Sequence, residues 1–404
     1  MNIFKRVFCR VFQAGFYVAM PFMPWRKPKL LKGANSLLEL PALIKSLNIK
    51  SVLIVTDKGL MSLGLVDPLI NKLQEEGLNF VVYDEVIPNP TISCIEKGAE
   101  VYKANNCEAL IAFGGGSPMD CAKGIGARIA RPKKPIAKMM GVMKVLKKIP
   151  TLFAIPTTSG TGSETTLAAV VTDDITHEKY PINDFNLIPH YAVLDPTLTE
   201  KLPKHITSTT GMDALTHAVE AFIGSANTKE TRQMALDAVE LIFANLKKAY
   251  DDGSNLEARE NMQLASYKAG VAFTRAYVGY VHAVAHSLGG AYNIPHGLAN
   301  SIILPIVLEQ FGKSAHKKLA FLADHVHLTN KNESNEVKAK AFIQAIKDFN
   351  AYFNIPEKIE MKEEDIPVLA KRADKEGNPL YPVPRLMNAK ELEKIYYKVL
   401  NKVN

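Results

Sequence analysis

Between residues 51 and 195 the chain alternates short β-branched runs with helical stretches, and after Pro203 the alternation stops. This pattern constrains the fold more than any other feature. Apolar runs separated by amphipathic helices are the sequence form of a parallel sheet with crossover helices. The predicted strands are 51–56 (SVLIVT), 80–83, 109–113, 151–155 and 192–194. From Thr210 onward the apolar period is helical, with breaks at 251–254, at Gly289 and Gly290, and at Pro356. The expected division is an extension over 1–24, an α/β domain over 25–205 and an all-helical domain over 206–404. With 404 residues and 47% hydrophobic content, the chain can fill two cores.

The α/β half carries two loops suited to phosphate. The predicted strand ALIAF runs into Gly114, Gly115, Gly116, Ser117 and Pro118, and then into a helix through Asp120. Glycines let backbone close on a ligand, Pro118 fits a first helical turn, and the free N–H groups at a helix start favour an anion. The spacing is not GxGxxG, and a tight turn is the plainer reading of the triplet. A second loop, IPTTSGTGSE over 155–164, also follows a strand and offers the hydroxyls of Thr157, Thr158, Ser159, Thr161 and Ser163. Two such loops in one sheet imply a nucleotide or dinucleotide, with hydroxyl-rich capping turns as the alternative. Asp57 ends the first strand of the alternating region, placed to bind ribose hydroxyls and to repel a 2′-phosphate, which favours NAD over NADP. It is equally placed to cap the helix beginning near Lys58.

The helical half carries metal-site spacing. In GMDALTHAVE, Asp213 and His217 are four apart and share a helix face; His282 and His286 stand in the same relation, and His296 follows. One carboxylate with neutral imidazoles and no nearby thiolate suits Fe(II) or Zn(II), with room left for an oxygen-bearing substrate. Any one of these histidines alone reads equally well as a core residue bonded to backbone. Spacing does not choose between His282 and His286.

The net charge of +8 is concentrated at the front. Residues 1–38 hold Lys5, Arg6, Arg10, Arg26, Lys27, Lys29 and Lys32 and no acid, a balance of +7, so the remainder sums to about +1. A nearly neutral body gives no case for nucleic-acid binding. Cys9, Cys94, Cys107 and Cys121 form no paired motif, which fits a reducing cytoplasm. The apolar run over 11–24 is too short to span a bilayer and lacks a convincing cleavage site. Three readings stand for residues 1–24: an arm on its own body or on a partner subunit, a helix on a membrane surface with Phe4, Phe8, Phe12 and Phe16 on one face, or a targeting signal. In the first two readings the segment serves association and is dispensable for chemistry. The acid-free stretch 128–148, with Arg128, Arg131, Lys133, Lys134, Lys138, Lys144, Lys147 and Lys148, is either a steering patch for an anionic cofactor or a solvated face.

Seven motifs, VTDKGL, IPNPT, GGGSPMDCAK, IPTTSGTGSE, LDPTLT, GMDALTHAVE and HAVAHSLGGAYNIPHG, occur in an order and spacing similar to those of the iron-containing (group III) alcohol dehydrogenases. The resemblance covers roughly residues 28–400. It implies the two-domain fold of that family, also seen in dehydroquinate synthase, as a homodimer or larger homo-oligomer. It implies Asp213, His217, His282 and His296 as metal ligands, with His286 as an unligated catalytic histidine. For NAD(H) it implies Asp57, Asn89, Gly115, Gly116, Ser117, Asp120, Thr157, Thr158, Thr161, Lys179 and Thr199. The implied reaction is hydride transfer between NAD(H) and a small alcohol or aldehyde, with Fe(II), or Zn(II), as Lewis acid. The chief alternative is an NAD- and metal-dependent lyase of the dehydroquinate synthase type, which needs several basic groups converging on an acidic substrate. The chain departs from the family at FTRAYVGYVH, where Arg275 and Tyr277 replace a small, amide-rich segment, and in the extension before residue 24.

Overall fold

The computed structural model describes residues 1–175, 178–330 and 332–402, without the side chains of Phe16 and Pro21. The chain forms two compact units. The first comprises Pro24–Leu202 and Asp252–Tyr267, and the second Met1–Met23, Pro203–Asp251 and Lys268–Asn404. The passage between them at 202/203 lies beside the expected cut near 205. The two returns, the extension grouping with the helical unit and 252–267 with the sheet unit, have no counterpart in a linear division.

The sheet unit contains β1 (Lys29–Lys32), β2 (Ser51–Val55), β3 (Asn79–Tyr83), β4 (Ala109–Gly114), β5 (Gly141–Val142), β6 (Thr151–Pro156), β7 (Ala168–Thr172), β8 (Lys179–Asn183) and β9 (Tyr191–Leu194). Its helices are α2 (Leu40–Ser46), α3 (Lys58–Ser62), α4 (Asp67–Glu75), α5 (Ile92–Ala104) and α6 (Gly116–Ala130). Six strands form an all-parallel sheet in the order β1-β9-β6-β4-β2-β3. Successive side chains point to opposite faces, so the uninterrupted apolar runs must be covered on both. Val52, Ile54, Ile111, Phe113, Phe153 and Ile155 pack with Leu40 and Ile44 of α2 and Leu69 and Leu73 of α4. Leu53, Val55, Leu110, Ala112, Leu152 and Ala154 pack with Ile95 and Ala99 of α5 and Ala122 and Ile125 of α6. All twelve strand residues are fully buried.

From β2 the chain steps to β3 on one side, and β4 then returns to the other side of β2. Loops leaving the carboxyl ends of β2 and β4 diverge there and open a crevice, the position at which doubly wound sheets take ligands. Asp57 and the glycine triplet sit on those two loops. The short edge strand β1 and the three-stranded sheet β5-β8-β7 are absent from the predicted strands.

Lys123 fixes the second polar loop against α6. It is fully buried, and its ammonium donates to Ser163 O (2.7 Å), Ser163 Oγ (3.0 Å), Thr166 Oγ1 (2.7 Å) and Ala168 O (2.8 Å). Burial pushes its amine down to about 8, with Asp120 and Glu164 acting in the opposite sense. Farther along, Arg128 pairs with Glu96 (2.6 Å), Arg131 donates to the Val145 carbonyl and Lys134 to that of Lys144 (2.8 Å). Those three cations of the basic stretch are thus engaged in holding it in place.

The helical unit contains α1 (Ile3–Ala19), α7 (Lys204–Ile223), α8 (Lys229–Asp251), the end of α9 (Leu256–Ala276), α10 (Tyr280–Tyr292), α11 (His296–Phe311), α12 (Lys313–His325), α13 (Asn335–Tyr352), α14 (Ile366–Gly377) and α15 (Ala389–Val399), with the pair β10 (Ile359–Met361) and β11 (Leu400–Lys402). The extension is therefore a helix that docks on the chain's own body; Phe16, one of the four phenylalanines expected on a shared face, has its side chain outside the described residues. All four cysteines are buried free thiols.

Replacing Lys123 by Met leaves four acceptors without their donor, and each buried unmet group costs about 1–3 kcal/mol. Lys123→Met should lower unfolding stability by about 3 kcal/mol or more in chemical denaturation. A loss within the error of the titration would show that water replaces the ammonium.

Candidate metal centre

Every residue of α7 from 211 to 223 is buried, so its polar side chains must be answered from inside the protein. Asp213 and His217 lie one turn apart on one face; α10 supplies His282, and α11 supplies His296 as its first residue after Pro295. One donor atom from each of Asp213, His217, His282 and His296 lies within 4.8 Å of the others. Asn300, a turn beyond His296, directs its amide nitrogen at Asp213 Oδ1 (2.7 Å), His282 Nε2 (3.2 Å) and His296 Nε2 (3.1 Å). Three lone pairs thus converge on one electropositive group. Burial holds the His282 imidazole well below its ordinary pKa and pushes that of His296 down to about 4, so both offer lone pairs at neutral pH. One carboxylate and three imidazoles fit a divalent first-row ion.

Glu220 organises this set from behind. At seven residues from Asp213 it falls on the same stripe of α7. Its buried carboxylate accepts from Gly279 N (2.8 Å), Val281 N (2.8 Å) and His282 Nδ1 (2.6 Å). It therefore caps the start of α10 and fixes the His282 tautomer that leaves Nε2 free to coordinate. Burial pushes its carboxyl up to about 7 against the three donors that favour the anion. A Cβ at Gly279 would lie 2.6 Å from Glu220 Oε1, so glycine is required there.

His286 stands beside the four donors, its ring 5.1 Å from that of His296 and 5.9 Å from that of His282, centre to centre. Its Nδ1 meets Glu376 Oε1 of α14 at 2.7 Å, and the Tyr381 hydroxyl donates to the same oxygen at 2.7 Å. Desolvation opposes the charged ring, but the Glu376 charge and hydrogen bond prevail and raise its pKa. Glu376 and Tyr381 were not legible in the sequence, where no spacing ties them to a histidine 90 residues earlier. Of the two departures from the family pattern, Arg275 pairs with Glu230 at 2.7 Å, and Tyr277 takes φ +64° just past α9, where burial raises its phenol pKa.

In the sheet unit, the residues expected at a dinucleotide follow the carboxyl ends of strands β2, β3, β4, β6 and β9, except Lys179, the first residue of β8. Asp57 caps α3 through Leu60 N (3.0 Å), the plainer of its two expected roles. Gly114 has φ +146°, and a Cβ there would lie 2.6 Å from Pro118 Cγ. The Gly115 and Gly116 backbone lies against Thr158 and Thr161, since Cβ atoms on the two glycines would fall 3.5 and 3.4 Å from those side chains. Asn89 N donates to Ser117 Oγ (3.2 Å) and Thr157 N to Gly114 O (3.2 Å). Asp120 accepts from Ser163 Oγ and Val170 N, both at 3.2 Å, and burial pushes its carboxyl up to about 6. Lys179, exposed on β8, pairs in register with Thr172, whose hydroxyl donates to Asn89 O. Thr199 is fully buried, and its hydroxyl is committed to Pro196 O (2.9 Å).

Removing Glu220 leaves His282 without its orienting partner. Glu220→Ala should weaken divalent-metal affinity by about 10–100-fold in chelator competition while α-helical circular dichroism is kept. Unchanged affinity would mean that the ring is held by packing alone.

Residues 27–196 match the iron-containing alcohol dehydrogenase family, and residues 207–400 match the Fe-containing alcohol dehydrogenase family C-terminal region. The chain is 39% identical to 1,3-propanediol dehydrogenase of Citrobacter freundii, over 90% of this chain and 95% of that protein. It is 38% identical to the NAD-dependent methanol dehydrogenase of Bacillus methanolicus, over 86% and 91%. Its fold superposes on the alcohol dehydrogenase of Oenococcus oeni with a TM-score of 0.89, at 34% identity, covering 93% of this chain and 99% of that one. Both halves match one family, and the four converging donors lie within the second match: the chain belongs to the iron-containing alcohol dehydrogenases.

Proposed function

We propose that this protein interconverts a small primary alcohol, diol or hydroxyaldehyde with its carbonyl counterpart, using NAD(H) and a divalent ion, Fe(II) before Zn(II). The observation that carries this reading is the convergence of Asp213, His217, His282 and His296 within 4.8 Å on one cation-seeking point. In this reading those four residues hold the ion. Bound, the ion supplies Lewis acidity toward a substrate oxygen and the nicotinamide supplies hydride exchange. His286, with Nδ1 on Glu376, presents Nε2 to take or return the alcohol proton. Gly115, Gly116, Ser117, Thr157, Thr158 and Thr161 cradle the pyrophosphate, and Asp57, Asn89, Asp120, Lys179 and Thr199 complete the cofactor set. The naming of a Bacillus methanolicus relative as NAD-dependent supports NAD(H), as does a carboxylate at Asp57, which disfavours a 2′-phosphate. The lyase alternative loses support, because Arg275, the basic group nearest the histidine string in sequence, is paired with Glu230.

We further propose a cytoplasmic homodimer or larger homo-oligomer. Among the described residues no helix is long and apolar enough to cross a membrane.

Three variants divide these roles. His282→Ala should lose the ion and with it turnover. His286→Ala should keep the ion and lose about 10²–10⁴ of the rate, because a proton path is removed and no donor is. Metal analysis beside turnover of an alcohol and aldehyde panel reads both, and an ion lost from the His286 variant but kept by the His282 variant would reverse the assignment. Asp57→Ala should narrow the preference for NADH over NADPH; equal use of both by the parent protein would remove the argument from Asp57.

A further inference from the structure

α1 presents its apolar side outward. At 100° per residue, Phe4, Val7, Phe8, Val11, Gly15 and Val18 fall within an arc of about 100° and run about 21 Å along the helix. The large side chains of that arc are exposed, Phe4 by 82% and Val11 and Val18 by 66% each. On the opposite side Cys9 and Gln13 are buried. The helix is held inward by directional polar bonds. Lys5 Nζ pairs with Asp374 (3.0 Å), Arg10 donates to Val383 O (2.9 Å) and Pro384 O (3.2 Å), and Gln13 Nε2 donates to Pro379 O (2.9 Å) and Tyr381 O (2.8 Å). Rolling α1 over to hide its apolar face would break every one of these bonds. An apolar stripe kept facing outward at that cost marks a contact surface.

We propose that α1 is a membrane-surface platform: its outward face lies in the interfacial layer of an anionic bilayer while its inward face stays latched to the helical unit. Charge selects the occupant. Of the cations on this helix Lys5 is answered by Asp374, whereas Arg6 is exposed and Arg10 spends its guanidinium on uncharged carbonyls and an amide, and the first acid in the chain is Glu39. Pairing with a second copy through the same face would bring these cations together with no acid in the segment to answer them, whereas anionic headgroups do. One stripe of a 17-residue helix is also small beside the roughly 800 Å² per partner of a stable protein interface. The proposal is independent of the reaction assigned above. It bears on the site in one respect: the helix that meets lipid also braces 379–384, and the Tyr381 hydroxyl within that loop bonds Glu376, the partner of His286.

The test is co-sedimentation of the full chain with phosphatidylcholine vesicles, with and without phosphatidylglycerol, beside analytical ultracentrifugation of the protein alone. The full chain should pellet with the anionic vesicles, more weakly with neutral ones, and less as salt is raised. Phe4→Asp/Phe8→Asp/Val11→Asp should reduce binding by at least about tenfold. Val11→Asp alone, at the centre of the face, should reduce it in the same direction, and both variants should keep the parent's thermal midpoint and its oligomeric size. Failure of the full chain to bind anionic vesicles would overturn the proposal, as would equal binding by the triple variant. Dissociation of the oligomer by these substitutions without vesicle binding would assign the face to a second copy instead.

Discussion

Electron-rich donor atoms gathered in a dry place repel one another unless something positive stands among them. Asp213, His217 and His282 are buried, with His296 beside them, and their donor atoms crowd within 4.8 Å. Replacing one of them by an apolar residue would relieve the crowding, so the cluster persists because it has a use. Around it the helical unit is arranged in layers of dependence: α7 carries two of the donors and Glu220, Glu220 caps α10 and turns His282, and the first residue of α11 completes the set. A cation therefore has both structural and chemical consequence here, because neutral imidazoles facing one another gain from it what water supplies elsewhere.

The sheet unit solves a different problem. Its strands are covered on both faces, so the polar chemistry is confined to their ends, where loops escape the sandwich. The reversal of strand order between β2 and β4 opens the place where backbone approaches a ligand closely; Gly114 occupies it at φ +146°, where a Cβ would collide with Pro118, and Gly115 and Gly116 follow beside Thr158 and Thr161. Lys123 then ties the second loop to the helix that follows the first, making one surface of two sequence motifs.

The five strands read from the sequence share a continuous apolar run, buried on both faces in β2, β4, β6 and β9 and partly covered in the edge strand β3, and they match these five strands within one residue at every end. β1, KLLK, carries two lysines in four residues at the sheet edge, and β7 and β8 alternate buried with exposed positions outside the main sheet; neither carries a continuous apolar signal. At the metal centre, helical spacing paired Asp213 with His217 but left His282 and His286 equivalent. What separates them is the partner of each Nδ1, Glu220 for one and Glu376 for the other, and the second comes from a distant helix with no local mark. Glu220 was visible in principle, since it shares the stripe of Asp213. The extension showed a comparable limit: Gln13 reads as a lone polar interruption of an apolar run, yet it is the buried residue that latches the helix to 379–384.

The account stands on the four donors holding one divalent ion. Crystals grown anaerobically with Fe(II) and measured on both sides of the iron absorption edge test it most directly. The prediction is a single anomalous peak per chain within about 2.3 Å of Asp213, His217, His282 and His296, with Asn300 displaced from the centre of the set and His286 uncoordinated. No peak at this position, or a peak that includes His286 in place of His282, would contradict it.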